Sequence, residues 1–270
     1  MKIEEIEITP EVALGFLQLN SRNRARNDKH IMFLADQMAT GKWVSNGEPY
    51  QFSSNNELLN GQHRLFAIIK SNTTQHGVIE TEIDGDVFGT YDTGKKRTAG
   101  DVFHVNGVES SVALASMVRA YMALNMGILG SSNIGSANTK TSIVDIYNKY
   151  SEKPDLFGDI LHKANMYCRK LRILKPSEVG SYMAYLVLDK GHTSGKVESF
   201  FKQLCFSEGV ENTTINIIRD KLINSGLTGF KMTSKHRRAL ITKTWNAYIR
   251  GREVKVLTFN ENKEELPDFI

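Results

Sequence analysis

Two stretches hold most of the residues able to handle a charged ligand. The first is ELLNGQHRLFAIIKSN, residues 57–72. A strand-like run stops there at Gly61 and an amphipathic helix begins, with Asn60, Gln62, His63 and Arg64 crowded around the turn. A helix start leaves backbone N–H groups unpaired, with the positive end of the helix dipole behind them, which suits an anion. Glycine at the turn lets the backbone approach a phosphate with no Cβ in the way. Arg64, one turn in, could donate two parallel bonds to phosphate oxygens, and His63 could donate to an anion or carry a proton near neutral pH. The same residues also fit a plain glycine turn beside an exposed arginine and a histidine satisfied by backbone.

The second stretch, YDTGKKRTAGDVF, sets Asp92 at a strand end before a Thr93-Gly94 turn and three cations, Lys95, Lys96 and Arg97. Thr98 then caps a helix, with Asp101 at capping-box spacing. An acid beside a cationic turn at a helix start suits a phosphate, or a phosphate with its metal ion. Its plainer counterpart is a solvated basic turn.

The elements that would position these clusters are short. KIEEIEI reads as a strand within a mixed opening segment, and Asn27 or Asp28 caps a helix carrying Ile31, Leu34, Ala35 and Met38 to Gly41. EPYQF and ELLN form a hairpin across residues 53–56, and the helix after Gly61 turns Leu65, Ile68 and Ile69 inward. GVIETEI and VFGTYD are further strands. Beyond Gly107 the spacing is helical, at 112–122, 140–150, 155–174, 176–189, 195–207, 213–224 and 234–250, with GSSNIGSAN at 130–138 as a break. The expectation is an α+β chain: a small mixed sheet-and-helix domain over residues 1–107, then an all-helical domain over 108–270.

With those residues in view, the chain resembles the ParB/sulfiredoxin-like superfamily. NGQHRLFAI is similar to its DGQHR signature. SRNRARNDKHIMFLADQMATGKW, NGEPYQF, TYDTGKKRTAGDVF and the distal KHRRALITKTWNAYIRGREVKVL resemble companion segments of a phage and prophage branch. The resemblance implies a small α/β domain binding a nucleoside triphosphate with Mg²⁺, or another phosphate, in a protein that works on or with DNA in a bacterial cytoplasm. The implied chemistry is nucleotide-dependent hydrolysis or group transfer, including DNA base modification. The other implied class is a non-catalytic DNA-binding or host-interaction module with a vestigial pocket. By position, Gly61, Gln62, His63 and Arg64 would hold phosphate, and from their own chemistry Asn60, Thr93, Gly94, Lys95, Lys96, Arg97 and Thr98 are further candidate phosphate or nucleotide contacts. The candidate catalytic groups are His63, as acid or base, and Asp92, which could take over a carboxylate role. The branch's Asn-Arg pair falls on Asn23 and Arg24, and His30 and Trp43 share that segment. Asn60 departs from the family, which has an aspartate there, and puts any metal or proton chemistry through that position in question.

Other chemistries fit less well. Asp92-Thr93-Gly94 occurs once, whereas an aspartic protease needs two such aspartates sharing a proton, which three neighbouring cations would oppose. The seven histidines are scattered, and no HExxH or Cys/His spacing suits zinc. Cys168 and Cys205 sit in apolar helical patterns, as buried reduced thiols would. GILGSSNIGS lacks the GK[ST] ending of a P-loop.

Composition agrees with a globular protein, at 40% hydrophobic and 24% charged residues, and no apolar run approaches a membrane span. MKIEEIEITPEV has no signal-peptide pattern, so the cytoplasm is the expected compartment. Net charge is only +4, but residues 219–255 carry ten Lys or Arg against Asp220 and Glu253, while the last ten residues reverse the balance. A basic helical block suits a polyanion or is simply a solvated face. Lys235, Arg237 and Arg238, in the first turn of a helix capped by Ser234, are with Arg24 the candidate nucleic-acid contacts, since cations there oppose the dipole unless an anion compensates them. Trp245 and Tyr248 fit the core face better than base stacking.

Overall fold

Thr9 opens the first helix by accepting from the Val12 N–H at 3.3 Å, with Pro10 in a first turn where no N–H is needed. That helix, α1 (Pro10–Leu17), follows strand β1 (Lys2–Ile8) and lies where sequence periodicity predicted only a mixed segment. The computed structural model describes residues 1–21, 23, 25–84, 97–128, 141–206, 212–227 and 232–270. These form two compact units, one of Met1–Arg97 with Gly135–Ser142 and one of Thr98–Ile134 with Ile143–Ile270.

The first unit is a four-stranded mixed sheet with helices. Its strands are β1, β2 (Tyr50–Ser53), β3 (Leu58–Asn60) and β4 (Gln75–Ile83), in the order β1-β4-β2-β3. β1 pairs antiparallel with β4, β2 antiparallel with β3, and β2 parallel with β4. The β2–β3 hairpin is the expected one. Its turn is held by the Ser53 hydroxyl, which accepts from the N–H groups of Asn55 and Glu57, and Asn56 takes the left-handed conformation. Helix α2 (Asp28–Ala39) is capped by Asn27, whose side chain accepts from the His30 N–H at 3.1 Å. Helix α3 (Gln62–Ser71) packs on α1 and α2. Ile8, Ile31, Leu34, Met38, Phe52, Leu58, Leu65 and Ile68 make the core of this unit. The expected strand VFGTYD lies outside the described residues.

The second unit is helical: α4 (Ala99–Val105), α5 (Ser111–Asn125), α6 (Ile143–Ser151), α7 (Pro154–Cys168), α8 (Pro176–Leu188), α9 (Ser194–Cys205), α10 (Thr213–Leu227) and α11 (Ser234–Ile249). The chain is thus α+β with a helical C-terminal region. The division falls at Arg97/Thr98, ten residues before the expected one at 107/108. The reason is Phe103 of α4, fully buried, whose ring meets Tyr150 at 4.9 Å and Tyr147 at 5.4 Å. Thr98 and Asp101 make the expected capping box for this helix. α8 is the most enclosed element, buried from Val179 to Leu186 and packed on α5, α7 and α9.

Residues 250–270 return along the helices. Phe269 is buried against Tyr182 and Tyr185, and the Trp245 indole N–H donates to the Ile270 carbonyl at 3.2 Å. Trp245 is fully buried, as its helical position suggested. Cys168 and Cys205 are both free and buried, and a hydrogen bond from the Cys205 thiol to Cys168, together with burial, holds the Cys205 thiol well above its ordinary pKa. No helix among the described residues is long and apolar enough to cross a membrane.

Candidate functional site

Gly61 stands at the N-cap of α3 with φ +109°, and a Cβ added there would lie 2.5 Å from Cδ1 of Tyr50. Only glycine fits this corner, for conformation and for space. The three residues that follow are all buried, and each reaches a different neighbouring segment. The Gln62 side-chain oxygen accepts from Asn20 Nδ2 at 3.1 Å; Asn20 Oδ1 in turn accepts from Asn23 Nδ2, which also donates to the Leu58 carbonyl. His63 Nε2 accepts from the Asn27 N–H at 3.1 Å and so ties α3 to the start of α2. Its ring stands edge-on to His30 at 5.6 Å.

Arg64 is the most constrained of the three. Its guanidinium donates to the carbonyls of Glu48 and Pro49, the latter at 2.7 Å, and lies 4.3 Å from the centre of the Tyr50 ring. The Glu48 carboxylate stands 3.9 Å away. A guanidinium stacked on an aromatic face and donating to two carbonyls has most of its fork occupied. The first turn of α3 therefore fastens Asn20, Asn23, Asn27 and the 48–49 segment to this unit. Asn60, half-buried, makes only long contacts among the described residues, of 3.4 Å from its Nδ2 to Glu48 and Gln51.

Of the expected second cluster, Asp92, Thr93, Gly94, Lys95 and Lys96 lie outside the described residues, and so does Arg24. Arg97 and Thr98 are described and exposed, with the Thr98 hydroxyl engaged by Asp101. A triphosphate with Mg²⁺ would need unengaged cations and hard oxygen ligands at the corner. The described residues there do not fit it: Arg64 is held by carbonyls, His63 by a backbone N–H, and position 60 offers an amide in place of a carboxylate. Among the described residues no three His, Cys, Asp or Glu side chains converge as metal ligands would.

The distal cations differ from one another. Arg237 forms a two-pronged bond with Glu178, at 2.8 and 3.1 Å. Burial alone would depress its pKa, but the bonded carboxylate raises it, so it stays charged. Lys235 donates to the Glu261 carbonyl at 3.0 Å. Arg238 is buried, with one long bond of 3.4 Å to the Ile128 carbonyl. The cap of α11 is Thr233, one residue before the expected Ser234, and its hydroxyl accepts from the His236 N–H. Arg250, Arg252 and Lys255, just past α11, are exposed and pair with no carboxylate among the described residues. In the sequence these three are simply part of the basic block at 219–255, because only burial and pairing distinguish them from the first-turn cations. Compared with known proteins, the chain matches no family model, no curated protein and no solved structure.

Proposed function

We propose that this chain is a nucleic-acid-binding module of ParB/sulfiredoxin-like build whose first unit is a scaffold, not a nucleotide hydrolase or transferase. One observation carries the reading. The side chains best suited to phosphate chemistry, His63 and Arg64, are buried and bonded to backbone groups of their own unit. Asn60, where the resembled family has an aspartate, points the same way. The resemblance of NGQHRLFAI and its companion segments supports the architecture, a phage origin and action on DNA in a bacterial cytoplasm.

DNA would be met by the exposed cations beyond α11. Arg250 and Arg252 line one groove of about 370 Å³ together with Asn246 and Val256, and Lys255 is exposed beside them. Phosphate contacts release counterions, so affinity should fall linearly on a log–log plot against salt, with a slope of about 0.9 per contact for duplex DNA. The test measures duplex binding at several salt concentrations for wild type and for Arg250, Arg252 and Lys255 changed together to Ala. Phosphate release from the four NTPs, with and without DNA, is followed in parallel. Expected are a slope reduced by about 2–3 and no phosphate release. Coincident slopes would remove DNA from this groove, and NTP turnover would restore the enzyme reading.

A further inference from the structure

A second cleft, of about 310 Å³, opens between the starts of α8 and α11, and its lining includes Lys175, Ser177, Glu178, Ser234, Arg237 and Arg238. Three cations face one carboxylate there. Glu178 is already occupied by Arg237 and by the Tyr182 hydroxyl, which donates to it at 3.3 Å. Among the described residues Arg238 and Lys175 are left without a carboxylate. Arg238 is the informative one: only 7% of its surface is exposed, and its Nε is buried with no partner among the described residues. A buried guanidinium nitrogen with no acceptor is costly unless something supplies one. Both helices also begin at this cleft, and α8 has no side-chain cap because Lys175 occupies its N-cap. Helix starts add partial positive charge where the two arginines stand.

From this arrangement we infer that the cleft binds a phosphate monoester. Two uncompensated cations, two helix starts and the hydroxyls of Ser177 and Ser234 match a compact dianion with several acceptor oxygens. A carboxylate would leave one of the cations unbalanced. Ala120, Leu124 and Ile128 also line the cleft and give the body of the ester an apolar surface. The site is independent of the groove at Arg250 and Arg252, so either can fail without the other.

The test is titration calorimetry on the full chain with inorganic phosphate, adenosine 5′-monophosphate, and a short oligothymidylate with either a 5′-phosphate or a 5′-hydroxyl. Lys175→Glu changes an exposed side chain and should weaken binding about ten-fold, the scale of one charge-assisted contact reversed. Arg238→Ala should weaken it at least as much. If that variant does not fold, Ser177→Asp, which sets a negative charge at the cleft mouth, takes its place. Binding by adenosine monophosphate alone would identify a small-molecule ester, and binding that requires the oligonucleotide's 5′-phosphate would identify a nucleic-acid end. The inference is overturned by absence of binding to any phosphate probe at millimolar concentration. Equal affinity in wild type and Lys175→Glu, or equal binding of the 5′-hydroxyl oligonucleotide, would overturn it too.

Discussion

Arg64→Ala would leave the Glu48 and Pro49 carbonyls without their donor and uncover the face of Tyr50. The expected loss is about 2–4 kcal/mol, since bonds from a charged donor and a cation–π contact go together. Urea unfolding followed at Trp43, which packs on the same core, would measure it. A midpoint unchanged from wild type would return Arg64 to the role of a free phosphate ligand. At this scale the sequence was legible for glycine and opaque for arginine. Gly61 announces itself because a strand-to-helix corner needs a positive φ, and Tyr50 turns that need into a steric one. Arg64 and His63 do not, because their partners are backbone groups of residues 27, 48 and 49, and backbone carries no pattern in a sequence.

Helix positions were read closely wherever an apolar stripe repeats, as in α5, α8, α9 and α11, and the capping box of α4 fell at its expected residues. What spacing alone missed was compensation between elements. The first-turn cations of α11 oppose its dipole, which suggested an external polyanion. The structure supplies internal anions for part of that turn, Glu178 from α8 for Arg237 and Glu261 beside Thr233 and His236, and leaves Arg238 with none among the described residues. The acidic end of the chain and the basic block are thus partly each other's partners, as the Lys243–Glu264 pair also shows. Tyr182 of α8 gives this packing a pH signature. Burial, and then the Glu178 charge, hold its hydroxyl well above the ordinary tyrosine pKa. A native pKa raised above the unfolded one means that this contribution is intact below pH about 10 and is lost as pH rises beyond it. Tyr182→Phe should therefore flatten the fall in stability between pH about 10 and 11.5 relative to wild type. Parallel pH profiles for the two proteins would show that the hydroxyl ionises without unfolding.

Across the whole molecule, the chain keeps its apolar residues in two separate cores, and its two tryptophans report on one each: Trp43 beside the sheet core and Trp245 within the helical one. Phe269→Ala removes a buried ring and should destabilise the helical unit by about 3–5 kcal/mol. In single-tryptophan variants the unfolding midpoint should shift further at Trp245 than at Trp43, and equal shifts would mean that the units unfold as one. The existence of two units was legible from the change of period after residue 107, but the boundary was not, because one aromatic side chain, Phe103, decides which core claims α4. Phe269 has a further consequence, for the order in which the protein is made. Every described residue of the sheet core has left the ribosome once Ile79 has, so that core can close early. The helical core must wait for a ring synthesised after all of its helices, and a ribosome paused beyond α11 would hold out a bundle whose Trp245 face is still open.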